Sequence, residues 1–152
     1  MRPYEHKVQY YETDKMGITH HSNYIRFMEE ARIHFLKEAG WPYDKLEEEG
    51  VISPVVGVTC DYKKTTTFPD ELEITVAVLE VSPVKFKLGY TMTVDGNVVC
   101  SATSTHCLLS KEGRPISTII IITPAIVISH YSFRIISDTL KYHRAGNSAP
   151  RK

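Results

Sequence analysis

The residues best suited to chemistry lie in the stretch from Asp14 to His21, directly before a helical pattern. Gly17 can adopt backbone angles that other residues resist, and Ser22 is a favourable N-cap, so we predict a tight loop that leads into a helix. The first N–H groups of a helix have no internal partner and carry partial positive charge, so they can stabilise an oxyanion. A carboxylate beside them could attack a carbonyl or activate a water, and the stretch therefore suggests acyl transfer.

Two other roles are open to the polar residues of this stretch. Asp14 could simply cap the turn, since aspartate is frequent in turns, and spacing alone favours that role. His20 beside His21 could suggest a metal site together with Asp14 and His6. Adjacent histidines in a turn rarely converge on one ion, and no ligand-rich motif surrounds them, so we predict neither a metal nor a cofactor.

A strand over residues 4–12 and a long helix over residues 22–39 must position this loop. Apolar residues at helical spacing predict the side of the helix that packs on the core, and they are Tyr24, Met28, Ala31 and Phe35, with Ile25 and Phe27 beside them. The predicted polar side carries Glu29, Glu30, Arg32, Lys37 and Glu38. Gly40 and Pro42 are expected to end the helix.

The rest of the chain up to residue 115 has a residue pattern typical of an antiparallel sheet. After a short helix over residues 43–49, β-rich segments are predicted at 51–62, 71–81, 85–94 and 98–109. Asp95-Gly96 predicts a tight hairpin between the last two of these segments. One long helix followed by several antiparallel strands indicates an α+β layer arrangement.

The composition limits the classes of protein to which the chain could belong. A chain of 152 residues with 42% apolar residues fits one globular domain, and its balance of 18 basic and 18 acidic residues argues against wholesale nucleic-acid binding. The three cysteines have no metal-ligand spacing and are interpreted as reduced thiols of a cytoplasmic protein. The N-terminus does not have the apolar core of a secretory signal, and no apolar run reaches the length of a membrane span.

The loop and helix also carry the pattern of a known family. Glu12-Thr13-Asp14-Lys15-Met16-Gly17 is followed by His21, Tyr24, Glu29, Ala31 and Arg32, and further matches are Gly50-Val51, Pro54-Val55-Val56, Tyr62 and Asp70. This pattern resembles the signature of the hot-dog-fold acyl-CoA thioesterases, most of all the 4-hydroxybenzoyl-CoA thioesterase family. The resemblance runs from Tyr4 to about Pro115, and it reverses the preference for Asp14 as a mere cap.

The resemblance implies a fold, an assembly and a reaction. It implies an antiparallel sheet of about five strands wrapped around one long helix, and homodimers or homotetramers with active sites at the subunit interface. It also implies hydrolysis of an acyl-CoA thioester without a metal, with Asp14 as nucleophile or general base. The N-terminus of the helix, through the backbone N–H of His21, would be the oxyanion site, and the His21 side chain would orient the acyl group or polarise the carbonyl.

The expected substrate-binding residues have less specific roles. Tyr24 is expected beside the pocket, while Glu29 could line the acyl site or pair with Arg32. Lys63 and Lys64 would bind the phosphates of coenzyme A, although it is an equal alternative that they are simply two solvent-exposed lysines. The full expected set is Gly17, Tyr24, Glu29, Thr59, Lys63 and Lys64.

Two alternatives to hydrolysis and one unusual segment complete the sequence-based picture. The same fold could carry an acyl-thioester hydratase, or a non-catalytic acyl-binding protein. Residues 1–115 are predicted to form the thioesterase domain, and residues 116–152 an atypical C-terminal extension of unknown role. In that extension, seven of the thirteen residues from 116 to 128 are isoleucine.

Overall fold

One long helix and a five-stranded antiparallel sheet frame residues 1–118, the part of the chain that this computed structural model describes. The helices are α1 (Asn23–Glu38) and α2 (Tyr43–Glu48), and a 3₁₀ turn spans Tyr10–Glu12. The strands are β1 (Tyr4–Lys7), β2 (Val51–Ile52), β3 (Val55–Tyr62), β4 (Glu71–Val81), β5 (Lys85–Val94), β6 (Asn97–Cys107) and β7 (Leu109–Ser110). The predicted α+β class, with about five sheet strands and one long helix, is confirmed.

The large sheet has the strand order β1-β4-β5-β6-β3, so β1 and β3 are its two edges. Strands β2 and β7 pair separately and form a second, two-stranded sheet. The predicted hairpin joins β5 to β6, where Asp95 and Gly96 have φ angles of 49° and 73°. Two consecutive positive φ angles are what a type I′ turn requires, which explains why Asp-Gly stands there.

The first strand is shorter than the predicted span of residues 4–12, because it ends at Lys7. The chain then turns into the short 3₁₀ segment, where the backbone N–H of Gln9 donates to the Glu12 carboxylate at 2.9 Å. This local hydrogen bond satisfies the backbone donor of Gln9 after the strand has ended. The predicted β-rich segment 51–62 likewise divides into β2 and β3.

Helix α1 packs on the sheet with a face that differs in three residues from the predicted one, one of which is Leu36, buried although it was assigned to neither side. Ile25 is 40% exposed instead of packing beside the core, and Arg32, predicted on the polar side, is only 2% exposed. The buried residues of α1 are Tyr24, Phe27, Met28, Ala31, Arg32, Phe35 and Leu36. The apolar ones among them form one hydrophobic core with buried residues of β4 and β5, which are Leu72, Ile74, Phe86, Leu88, Tyr90 and Met92.

The segment that follows β7 begins with ordered contacts. Ile116 donates its backbone N–H to Leu108 at 2.8 Å, and Thr118 donates to Pro83 at 3.1 Å. The remainder of the predicted extension, residues 119–152, lies outside the described residues. No helix within residues 1–118 is both long and apolar enough to cross a membrane.

Candidate active site

Asp14 occupies the loop between the 3₁₀ turn and α1. Its backbone N–H donates to Ile18 at 2.9 Å, and its carbonyl accepts the N–H of Gly17 at 2.9 Å. Its carboxylate oxygen Oδ1 accepts the N–H of Met16 at 2.7 Å. The left-handed φ of 76° at Gly17 is what allows so tight a loop. Asp14 therefore does cap the turn with one oxygen, and Oδ2 has no hydrogen-bond partner in the described part of the chain.

A strip of threonines attaches this loop to the segment before β4. Thr19 donates its backbone N–H to the carbonyl of Thr66 at 2.8 Å. The hydroxyl of Thr67 donates to the carbonyl of Gly17 at 2.6 Å. Buried Thr66 is hydrogen-bonded both to the Thr19 hydroxyl at 2.7 Å and to the Tyr24 hydroxyl at 2.9 Å. These hydrogen bonds attach the loop to the segment before β4 at Gly17 and at Thr19, so the position of the loop that carries Asp14 is fixed.

The start of α1 leaves two backbone donors without partners. Ser22 is at the N-cap position, but its side chain makes no capping hydrogen bond, because its hydroxyl is bonded to Nδ1 of His20 at 2.8 Å. Within residues 1–118, neither the N–H of His21 nor that of Tyr24 donates a hydrogen bond. Unpartnered N–H groups at a helix N-terminus are suited to stabilise an oxyanion.

A cleft of about 320 Å³ lies between the Asp14 loop, the start of α1 and the end of β3. Its lining residues are Asp14, Met16, Ile18, Thr19, His21, Tyr24, Tyr62, Lys63, Lys64 and Thr65. The structure thus brings together Asp14, His21, Tyr24, Lys63 and Lys64 of the predicted set. Asp14 and the helix start face the same cleft, as the oxyanion arrangement requires.

Three residues of the predicted set do not line this cleft. Gly17 shapes the loop through its backbone, and its carbonyl points to Thr67. Glu29 is 46% exposed at its side chain and accepts a hydrogen bond from Arg32 at 2.5 Å, which is the pairing considered as its alternative role. Thr59 is exposed on β3, with its hydroxyl bonded to that of Thr103 at 2.6 Å.

Tyr62 is one of the lining residues to which sequence reasoning assigned no role. Its hydroxyl donates to the carbonyl of His21 at 3.0 Å, and its ring meets that of Tyr24 edge-on at 5.1 Å between centroids. Desolvation by burial is the main cause that raises the pKa of both Tyr24 and Tyr62, so both hydroxyls stay protonated at neutral pH. The position of Tyr62 in the family pattern was the only sequence signal for it.

The mouth of the cleft is cationic. Lys63 forms an ion pair with Asp61, and Lys64 reaches the side-chain oxygen of Asn97 at 3.4 Å. Both lysines are exposed, so their ammonium groups can rearrange toward an anionic ligand. In residues 1–118, no cluster of three or more His, Cys, Asp or Glu side chains is arranged to hold a metal ion.

Comparisons with known proteins place the chain in a family. A family model described as "Thioesterase-like superfamily" matches residues 8–127. The chain is 38% identical over 114 residues to an Aquifex aeolicus protein named "Putative esterase", covering 75% of this chain and 88% of that protein. It is 35% identical over 114 residues to the Bacillus subtilis protein named "Putative acyl-CoA thioesterase YneP", covering 74% of this chain and 83% of the relative.

A solved structure agrees with these sequence matches. The structure described as BH1999 gentisyl-coenzyme A thioesterase superposes with a TM-score of 0.74 at 27% identity. The superposition covers 79% of this chain and 98% of that chain. The superfamily and the hot-dog thioesterase fold that the loop pattern suggested are therefore both confirmed, whereas these matches do not confirm the 4-hydroxybenzoyl-CoA group within the superfamily.

Proposed function

Since this chain belongs to the thioesterase-like superfamily of thioester hydrolases, we propose that it hydrolyses an acyl-CoA thioester to a free acid and coenzyme A. The observation that carries the proposal is that one oxygen of Asp14 is without a partner in the described part of the chain. Asp14 lines the same cleft as His21 and Tyr24, the two residues at the helix start whose backbone N–H groups are unpartnered. A thioester carbonyl placed between them would meet a base or nucleophile on one side and oxyanion donors on the other.

In the general-base route, Asp14 takes a proton from a water while the water oxygen attacks the thioester carbon. The tetrahedral oxyanion accepts hydrogen bonds from the N–H groups of His21 and Tyr24, each such donor being worth roughly 3 kcal/mol. The intermediate then collapses, the carbon–sulfur bond breaks, and the electron pair leaves with the sulfur. Asp14 returns its proton to the coenzyme A thiolate, which regenerates the carboxylate.

In the nucleophilic route, Oδ2 of Asp14 attacks the thioester carbon itself, and the thiolate leaves to give a mixed anhydride. Water then cleaves the anhydride, which releases the free acid and restores the Asp14 carboxylate, while the remaining proton of the water goes to the coenzyme A thiolate. Both routes use the same two sets of groups, so the proposal does not depend on the choice between them.

The cationic mouth of the cleft supports coenzyme A as the carrier of the acyl group. Lys63 and Lys64 are the cleft residues able to meet phosphates, and ammonium–phosphate pairs are charge-assisted contacts. One structural relative is described as a gentisyl-coenzyme A thioesterase, so hydroxybenzoyl-CoA thioesters belong in the first substrate panel beside aliphatic ones.

The proposal includes a homo-oligomer that completes the site. Strand β3 is an edge of the sheet, and Val56 and Val58 on it are 51% and 42% exposed. A second copy of the chain pairing along this edge would cover them, and Thr59 would then stand at the subunit interface. Glu29, half exposed on α1, could line an acyl site closed by that second copy.

Replacing Asp14 by Asn tests the proposed reaction. The amide keeps an oxygen for the turn but cannot act as base or nucleophile, so kcat should fall by about 10²- to 10⁴-fold. The measurement is thiol release from a panel of hydroxybenzoyl-CoA and aliphatic acyl-CoA thioesters. The matched control is Asp95→Asn at the β5–β6 hairpin, an aspartate that does not line the cleft, and this variant should turn over like the wild type.

Each other outcome contradicts the proposal in a distinct way. A wild-type protein that binds but releases thiol from no thioester would be an acyl-binding protein. Crotonyl-CoA hydration without thiol release would identify a hydratase on the same fold. Full activity of Asp14→Asn would leave the hydrolase standing but remove Asp14 from the mechanism.

A further inference from the structure

We propose that Asn23 is a positioning residue, whose side-chain amide holds the Asp14 loop against the start of α1 through the carbonyl oxygen of Glu12. The inference rests on the proposed function of Asp14, and it assigns a role to a side chain outside the cleft lining. The amide nitrogen Nδ2 of Asn23 donates to the Glu12 carbonyl at 2.7 Å. The backbone N–H of His20 donates to the same oxygen at 2.8 Å.

That carbonyl lies between the two halves of the candidate site. Glu12 is two residues before Asp14, and His20 is directly before His21, whose N–H is a proposed oxyanion donor. Asn23 is the first residue of α1. The Glu12 carbonyl therefore connects the residues just before the Asp14 loop with His20 at the end of the loop and with Asn23 of α1. The distance between the Asp14 carboxylate and the oxyanion donors depends on the two hydrogen bonds that His20 and Asn23 donate to this carbonyl.

The Glu12 carbonyl is a fixed point because the Glu12 side chain is anchored on three sides. The carboxylate is only 1% exposed and is bonded to the N–H of Gln9 at 2.9 Å and to Nε2 of His6 at 2.9 Å. It is also paired with the Arg26 guanidinium, which extends from the first turn of α1. Strand β1 and helix α1 thus clamp the residue whose carbonyl Asn23 binds.

The chemistry of the amide is specific to this task. Ser22 does not cap the helix with its side chain. The side-chain hydrogen bond that connects the start of α1 to the loop is the one from Asn23 to the Glu12 carbonyl. A carboxylate in the same place would present oxygen to oxygen and could not donate. Because misplacing a reacting group by about 1 Å can cost roughly 10²-fold in rate, loss of this bond should reduce catalysis more than substrate binding.

A double-mutant cycle with Asp14 tests the inference. Asn23→Ala should lower kcat by about 10- to 100-fold while KM stays within about threefold, because the amide positions and does not touch substrate. In the Asp14→Asn background the same change should alter the residual rate by less than about threefold, since nothing remains to be positioned. The control is Ser82→Ala, which removes a side-chain bond to the carbonyl of Lys85 in the β4–β5 turn and should keep wild-type activity.

Asn23→Asp separates positioning from folding. A carboxylate at a helix N-terminus interacts favourably with the macrodipole, so the thermal midpoint should be unchanged or higher. The bond to the Glu12 carbonyl is nevertheless lost, so kcat should fall as far as in Asn23→Ala. A folded Asn23→Asp variant with normal kcat would overturn the inference.

The cycle also distinguishes the failure of this inference from failure of the proposed function. An equal loss of kcat from Asn23→Ala in both backgrounds would mean that Asn23 has only a structural role. Wild-type kcat in the single variant would mean that the bond to Glu12 does not affect catalysis. If Asp14→Asn alone keeps full activity, the fault lies in the role proposed for Asp14, and the positioning of Asp14 by Asn23 falls with it.

Discussion

At the scale of single residues, the two lysines of the cleft mouth separate recognition of coenzyme A from the chemistry. Asp14, Lys63 and Lys64 all line the cleft, and the two lysines follow β3 and are exposed. Charges at an exposed mouth attract a polyanionic carrier and are screened by salt, so they contribute to binding and not to bond cleavage.

The variant Lys63→Ala/Lys64→Ala should therefore raise KM for acyl-CoA about tenfold, equivalent to roughly 1.4 kcal/mol, with kcat nearly unchanged. The same acyl group on pantetheine, which has no nucleotide phosphates, should show no such difference. Lys37→Ala, an exposed lysine near the end of α1, is the control. A lower kcat with unchanged KM would contradict this role for the lysine pair.

At the scale of elements, α1 owes its place to the side chains that it buries on the sheet. Phe27 is fully buried, at 0% exposure, while Ile25 two residues earlier is 40% exposed. Burial of an aromatic side chain in a packed core is worth several kcal/mol, and a cavity left there adds to the loss.

Phe27→Ala should consequently lower the free energy of unfolding by about 3–5 kcal/mol, whereas Ile25→Ala should cost less than about 1 kcal/mol in the monomer. Urea denaturation followed by circular dichroism measures both. Equal losses from the two variants would mean that α1 does not present the Phe27 side to the sheet.

A second feature at this scale is the polar network between β5 and β6. Nε2 of buried His106 is hydrogen-bonded to the Ser104 hydroxyl at 2.6 Å, and the Tyr90 hydroxyl meets the same oxygen at 2.7 Å. Desolvation by burial, and next the charge of Arg32, lower the pKa of His106 from its usual 6.5 to about 4. His106 is therefore neutral in the folded protein at neutral pH.

This depressed pKa gives the direction of a pH dependence. Above pH 6.5 His106 is neutral in both states, whereas between pH 6.5 and about 4 only the unfolded chain takes up the proton. Stability should fall as the pH drops through that window, by up to about 3 kcal/mol. In urea denaturation at pH 7 and pH 4.5, His106→Gln should reduce the difference in stability between the two conditions.

At the scale of the whole molecule, the sheet has one long edge that residues 1–118 leave open. Strand β1 at the other edge is only four residues long, whereas β3 has eight, with exposed apolar side chains at Val55, Val56, Val58 and Tyr62. A long edge strand with apolar side chains is a template for pairing with another strand. The proposed partner is a second copy of the same chain.

Val56→Lys/Val58→Lys should therefore shift the protein toward a monomer in sedimentation or light-scattering measurements, and activity should fall with dimer content. Like charges facing each other across a two-fold interface oppose association without disturbing the core. The control is Leu79→Lys on β4, whose side chain is 53% exposed and which β5 and β6 separate from β3 in the sheet. A wild-type protein that is monomeric at assay concentrations would contradict the proposed assembly.

The order of elements and the site-bearing loop could be predicted from the sequence because each depends on neighbouring residues. Period-two alternation gave the observed bounds of β4 and β5, and Asp95-Gly96 gave the hairpin. The segment from Asp14 to His21 was selected through local turn and helix-start chemistry and the family pattern. These are short-range properties, so one sequence contains them.

Only the tertiary structure decided which side chains meet across long separations in the chain. Arg32 was predicted to be polar and exposed but is buried, because the sheet lies over that side of α1. Tyr62 joins the cleft by bonding to His21, 41 residues away. The bond from Asn23 to Glu12 likewise needs the chain to fold back on itself. Local propensity contains no information about such distant partners, since packing of the helix on the sheet selects them.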